Sequence, residues 1–474
     1  MMISSLHLLS PIPPKKTPTT TIRSSHSSFL DLTPTSRPEP VNVDIRLHSQ
    51  SKPASDYDTV VIGCGPAGLR IAGLAAARGL RVCCVDPDPL SGWRNNYGSW
   101  VDEFAELGLD DCFDAIWPRA TVVIRDGGKG KDLDRPYGRV GRKEMKVRLM
   151  EKCADNGVAF HKAKAWTVDH QEFRSEVRCS DGCDIRASLV IDASGFTSPF
   201  MEYDKPRDSG FQIAHGILAE VESHPFDLDK MVLMDWSDSH LDNEPYLRPN
   251  NEKISTFLYA MPFDSNLVFL EETSLVSRPV LSYTEIKKRM VARLRHLGIK
   301  VKRVIEDEKC LIPMGGPLPM IPQSVMGMGG TAGLVHPATG YSVARGLRAA
   351  PIVADAMAEL LGSTRMVRGR QLQQRIWSSL WTAEMKGERE FYRFGMETLL
   401  KMDLEGTRRF FDAFFDLEPR YWQGFLSTRL SLSELASLCL SLFGHASNSS
   451  RLDIVTKCPA PLARMVGNLA LQAV

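Results

Sequence analysis

The alternation of apolar and polar positions divides the chain into a nucleotide-binding pattern, a strand-rich middle and a helical end. Asp58 to Gly63 is a run of β-formers entered from polar residues, the pattern of a buried parallel strand. The alanine-rich stretch from Gly65 to Arg78 has helical composition, and Gly79 ends it. Arg81 to Asp86 is a second apolar strand that closes on an acid. Glu176–Cys179 and Asp184–Ala187 bracket a Ser-Asp-Gly turn as a hairpin, and Leu189 to Asp192 runs into Asp192-Ala-Ser-Gly195. Ile254 to Pro262 and Asn266 to Leu275 form another hairpin around Phe263-Asp264-Ser265. Val325 to Gly333 is a strand entering a glycine turn, and a helix is expected from Tyr341 to about Leu361. After Arg365 the pattern is helical and aromatic. The expected architecture is α/β: a Rossmann-type dinucleotide-binding domain over 56–200 and 320–365, an inserted antiparallel sheet over 201–319, and a helical region over 366–474.

A length of 474 residues agrees with two or three domains. A formal charge of +1 gives no global field for nucleic acid, so none is expected as a partner. The ten cysteines have neither disulfide-scaffold, zinc nor redox spacing, which points to a reducing compartment and no metal site. From Met1 to Leu30 there is no acid, while Lys15, Lys16 and Arg23 are basic and Pro11, Pro13, Pro14 and Pro18 oppose a helix. Residues 1–52 are therefore expected to be a disordered plastid transit peptide, the alternative being a plain disordered tail. No apolar run is long enough to span a bilayer, and Leu435 to Phe443 is too short and carries serines.

The chemistry lies first in the glycines. Gly63 permits a tight turn, Gly65 lets backbone approach a pyrophosphate, and Gly68 lets the helix pack on the strand, with Pro66 and Ala67 opening that helix. Asp86 stands where a carboxylate accepts from ribose hydroxyls, favouring FAD or NAD over NADP. Asp192 before Gly195, and Gly330, Gly333 and Gly340 in the later turn, resemble the returning strands of flavoproteins related to aromatic hydroxylases. That resemblance implies FAD. Those relatives carry Asp where this chain has Thr331, so the ribityl contact is missing or made by a hydroxyl. By the same analogy Arg142 approaches the flavin; the alternative is a surface arginine before a helix. His336 orients flavin or substrate, or is a packing residue.

Phe269-Leu270-Glu271-Glu272-Thr273 is similar to the motif of plant lycopene β-cyclases and their relatives, the capsanthin-capsorubin synthases. Asn95-Asn96-Tyr97-Gly98, Trp100 to Phe104, His224 to Met231 and His445-Ala-Ser-Asn also resemble that family, which accounts for nearly everything after Asp56. On a strand Phe269, Glu271 and Thr273 share one face and Leu270 and Glu272 the other, so one glutamate enters a pocket while its neighbour braces the sheet. Without the resemblance, the motif also reads as an exposed acidic pair. The resemblance implies Glu271 as the acid–base residue, with Glu272 a supporting or second carboxylate. It implies lycopene and related carotenoids as substrates, reduced FAD as the active cofactor, and NAD(P)H as electron source. A glutamate with its ordinary pKa of about 4.3 is protonated roughly one time in 500 at neutral pH, a cost of about 4 kcal/mol; burial beside an apolar substrate offsets it.

An end ring formed by protonation, cation cyclisation and proton loss is the reading that follows. Alternatives are a ring-contracting capsanthin-capsorubin synthase, a flavin monooxygenase or isoprenoid reductase, and a carotenoid-binding flavoprotein without activity. A hydrocarbon substrate implies a peripheral plastid membrane or plastoglobule lipid as its source. The helices bearing Arg408, Arg409, Phe410, Phe411, Arg420, Tyr421 and Trp422 either lie in a headgroup layer or pack on the core.

Overall fold

Apolar runs bounded by turn residues become the centre of a parallel sheet. In the computed structural model, which describes residues 29, 32–48, 56–196, 198–203, 209–362 and 367–472, Tyr57–Ile62 lies between Val82–Asp86 and Asp184–Asp192, parallel to both. Its last four residues are buried. On its other edge Asp184–Asp192 serves two further neighbours: its first half pairs antiparallel with Ser175–Cys179, and its second half pairs parallel with Val325–Gly327. The hairpin arm and the apolar strand expected separately are thus one element. Helices Pro66–Ala77, Arg142–Asp155 and Val343–Gly362 pack together against this eight-stranded sheet.

A second, seven-stranded sheet runs Val301–Met314, Gly210–Val221, Leu267–Ser274, Thr256–Pro262, Lys230–Asp235, Arg119–Val123, Lys131–Leu133. Its last two strands come from inside 56–200, the stretch expected to be wholly nucleotide-binding. Their alternation explains the placement: Ala120, Val122 and Leu133 turn inward and pack with Met231 and Leu233. The sheet is therefore not a single insertion.

Both faces of this sheet are covered. Helix Tyr283–His296, whose Ser282 side chain caps the Glu285 N–H, lays Met290 and Leu294 against Leu258, Val268 and Leu270. The opposite face carries Phe257 and Phe269, which pack with Tyr392, Phe411, Phe414 and Trp422 from the C-terminal helices. Those helices are capped locally, by Thr382, Asp403 and Ser431. Of the basic and aromatic residues expected either in a headgroup layer or on the core, Arg408 donates to Trp236 O and Asp238, and Phe411 and Trp422 are buried. Among the described residues no helix is long and apolar enough to cross a membrane.

The N-terminal expectation needs correction. Residues 1–28 and 49–52 lie outside the described residues, but 32–48 are ordered against the domain. Arg46–Leu47 adds a parallel strand beside Ala159–Lys162, Val41 is buried and donates its N–H to Leu90 O, and the Thr35 and Ser36 N–H groups reach Val304 O and Ile305 O. The sequence Val41-Asn-Val43-Asp-Ile45 alternates as a strand does, with Val43 and Ile45 packed on the core. Prolines and serines around it disguise that signal.

Candidate active site

The first glycine turn opens a cleft of about 750 Å³. Gly63 has φ +102°, and a Cβ there would come within 2.8 Å of Ala193 O. A Cβ on Gly68 would stand 2.0 Å from Gly63 O, so this glycine is what seats the helix on the strand. Gly65 faces open space, with nothing within 4 Å of a Cβ, and lines the cleft with Pro66 and Ala67. The helix begins without a side-chain cap, leaving first-turn N–H groups to a phosphate. Asp86 lines the same cleft; its carboxylate accepts from Cys64 N–H and Asp88 N–H at 2.8 Å each. The opposite wall is Ala193 to Phe196 with Gly330. These residues fit a dinucleotide.

Other expected cofactor residues stand off from the cleft. Asp192 is fully buried, and its carboxylate accepts from Ser194 N–H and from the Ser194 and Ser198 hydroxyls, shaping the loop that forms the wall. Thr331 donates its hydroxyl to Asp192 O and accepts from Met328 N–H, so it joins two strand ends and replaces no ribityl contact. Gly333, at φ +73°, packs on Leu318, and Gly340 lines a different cavity. Arg142 does not line the cleft. It donates to Arg94 O and Glu306, bracing the cleft-lining segment from behind. His336 is buried: its Nδ1 accepts from Ala338 and Thr339 N–H and its Nε2 donates to Phe425 O, so it ties a loop to the C-terminal helices. Burial, and then Arg345, hold its pKa well below the ordinary value, which fixes it neutral.

Beside the cleft lies a cavity of about 280 Å³ lined mainly by aromatic and aliphatic side chains, among them Tyr137, Phe257, Tyr259, Tyr341 and Phe410. The two spaces share a wall of Asn95, Tyr97, Cys310, Ile312, Ser342 and Val343. Glu271 is the acid on the cavity side of strand Leu267–Ser274. Its Oε1 accepts from the Thr273 hydroxyl at 2.6 Å, and Phe269 faces the same side. Burial raises its pKa above the ordinary value.

Glu272, expected as a supporting or second carboxylate, points the other way and braces the sheet. It is fully buried toward helix Tyr283–His296, where Arg293 grips it through Nε at 2.7 Å and Nη2 at 3.0 Å, and the Thr256 hydroxyl donates at 2.5 Å. Alternation of side chains along the strand dictates the split. The carboxyl that does approach Glu271 is Glu308, from strand Val301–Met314.

A family model described as "Lycopene cyclase protein" matches residues 58–452. The chain belongs to the lycopene cyclase family. Among members of the lycopene cyclase family and their relatives, it is 68% identical to a chromoplastic capsanthin/capsorubin synthase of Citrus sinensis, over 95% of this chain and 90% of that one. It is 63% identical to a chloroplastic neoxanthin synthase of Solanum lycopersicum (98% and 94% covered) and 56% identical to a chloroplastic lycopene beta cyclase of Arabidopsis thaliana (94% and 89%). In fold it is similar to a geranylgeranyl bacteriochlorophyll reductase-like protein of Thermoplasma acidophilum, with TM-score 0.63 at 16% identity over 87% of this chain and 99% of that one. It is also similar to the halogenase PltM solved with phloroglucinol and FAD, with TM-score 0.52 at 13% identity over 88% and 91%. The Rossmann-type α/β fold of FAD-binding flavoproteins is thus the fold of this lycopene cyclase family member.

Sequence reasoning missed Glu308. It lies in Glu306-Asp307-Glu308, an acidic run that reads as a solvated strand edge. The available signal was period two: Glu308, Cys310 and Ile312 share a face, and two of the three are apolar or nearly so.

Proposed function

We propose that this chain closes the end rings of carotenoids, forming β rings on lycopene without net redox change. The supporting observation is the position of Glu271: a carboxyl whose pKa burial raises, in an apolar, aromatic cavity that shares a wall with a dinucleotide cleft. The Glu271 O–H bond breaks as a C–H bond forms at the terminal double bond of a ψ end. The tertiary cation left behind closes a six-membered ring through a new C–C bond, and a ring C–H then breaks, its proton returning to a site carboxylate. The faces of Tyr137, Tyr259 and Tyr341 stabilise positive charge, and the aromatic lining keeps out the water that would quench it. Gly63, Gly65, Gly68 and Asp86 would hold FAD, which in its reduced form would supply negative charge, with NAD(P)H as the source of its electrons.

The cavity is of a size for one end of a long polyene, not its whole length. The rest of the molecule remains in lipid, which makes the protein a peripheral one at a plastid membrane or plastoglobule. Purified protein with lycopene in liposomes, FAD and dithionite, kept anaerobic, should yield β-carotene, and oxidised flavin should yield none. Glu271→Gln should retain FAD and lose cyclisation; undiminished turnover removes Glu271 as the proton donor.

Higher identity to the citrus capsanthin/capsorubin synthase than to the Arabidopsis lycopene beta cyclase favours a second reading, contraction of an epoxidised ring through a related cation. Violaxanthin or antheraxanthin in the same assay distinguishes the two by the appearance of a κ-ring ketone.

A further inference from the structure

Glu271 and Glu308 sit on strands that are not neighbours. Gly210–Val221 runs between them, and its Gly216 pairs with Glu271 on one side and with Glu308 on the other. A Cβ at Gly216 would lie 2.8 Å from Phe269 Cζ and 3.0 Å from Glu308 Cγ. The bare glycine leaves a gap above the central strand in which the two carboxyls and Cys310 Sγ come within 4.8 Å of one another. Glu308 Oε2 accepts from Asn96 N–H at 2.5 Å, whereas Oε1 is buried and meets no donor. Two ionised carboxylates have only acceptors to offer each other, so Oε1 is satisfied when one proton lies between the pair.

We propose that Glu308 is the positioning partner of Glu271, the two sharing a single proton across Gly216 so that Glu271 is kept loaded as the acid. This rests on Glu271 being the proton donor. When Glu271 gives up its proton the pair becomes doubly negative and faces a cation of one positive charge; the proton lost from the ring restores the starting state. The groups around the pair favour sharing. Burial first, and then the charge of Glu271, raise the pKa of Glu308, and burial raises that of Glu271 against its contacts with Thr273 and Glu308, which lower it, so the proton is held by the pair. Arg139 and Arg142, the nearby cations, are both engaged by Glu306. Tyr97, Tyr259 and Cys310 face the pair as neutral groups, each with its pKa raised first by burial. The physics is that of any two carboxyls too close to ionise together.

Glu308→Gln isolates the idea. The amide still accepts from Asn96 N–H, so the loop contact survives, but its NH₂ donates to the Glu271 carboxylate and holds it ionised. The measurement is kcat/KM for lycopene against pH with reduced FAD, together with the infrared C=O stretch of a protonated carboxyl in the FAD-loaded protein. The parent should show that band at neutral pH, and its rate should fall as pH rises through the raised pKa of the pair. In Glu308→Gln the alkaline limb should move down by about one pH unit or more, roughly a tenfold loss at fixed pH above it, with the band gone and FAD retained. A superimposable pH profile, or a parent without the band, overturns the shared proton. If Glu271→Gln is inactive while Glu308→Gln is unshifted, only the pairing falls; an active Glu271→Gln brings down the donor assignment and the pairing together.

Discussion

Two adjacent glutamates on one strand meet opposite environments, and the difference decides their chemistry. Glu271 faces an apolar cavity without an arginine in contact, so burial raises its pKa. Glu272 is held on the far side by a bidentate arginine and a threonine hydroxyl, all buried. Removing one partner of a buried pair strands the other charge, so Glu272→Ala should cost about 3–5 kcal/mol of stability. Thermal or denaturant unfolding checks this, and FAD loading of the surviving folded fraction should match the parent. The strand period and the family motif made Glu271 legible from sequence. Glu308 was not, because its period-two face marks only a side of the strand, while its role depends on the gap at Gly216 created by pairing across two strands. For Thr331 and His336 the sequence left two readings open, and the structure selects the structural one in each, with backbone groups from distant segments as partners.

At the scale of elements the first strand, helix and second strand were readable almost to the residue, since glycine, alanine and an acid each have one physical use in that turn. The glycines separate by what surrounds them. A side chain at Gly65 meets no protein atom and projects into open cleft. Gly65→Val should therefore fold with a parental melting temperature in the absence of cofactor and lose FAD, read by absorbance after gel filtration. An equal FAD content would displace the pyrophosphate from that turn. A side chain at Gly68 strikes backbone at 2.0 Å, so the same change there should prevent folding itself. Less readable was the merger of hairpin arm and apolar strand into Asp184–Asp192, because strand length is set by neighbours on both edges.

For the molecule as a whole, the layout of nucleotide domain, sheet and helical end followed from the order of patterns, but the borders did not. Arg119–Val123 and Lys131–Leu133 cross into the second sheet, and residues 32–48 clasp both units, Val41 and Arg46–Leu47 on the first and Thr35 and Ser36 on the edge strand Val301–Met314. A chain starting at Asp56 should thus be less stable than one starting at Phe29. Loss of the Val41 side chain from the core alone accounts for about 1.5–3 kcal/mol, and a melting comparison of the two truncations checks it.

The wall between cleft and cavity has a thermodynamic consequence. Tyr97 and Asn95 border both spaces, and the N–H of the intervening Asn96 holds Glu308. A ligand on one side that stiffens this short segment prepays the ordering needed by a ligand on the other. Linkage then makes the effect reciprocal: whatever factor the cofactor adds to the affinity for the polyene, the polyene returns to the cofactor. A chain of the proposed activity should thus bind its carotenoid more tightly with the cleft filled than with it empty, so cofactor supply becomes a control on substrate capture.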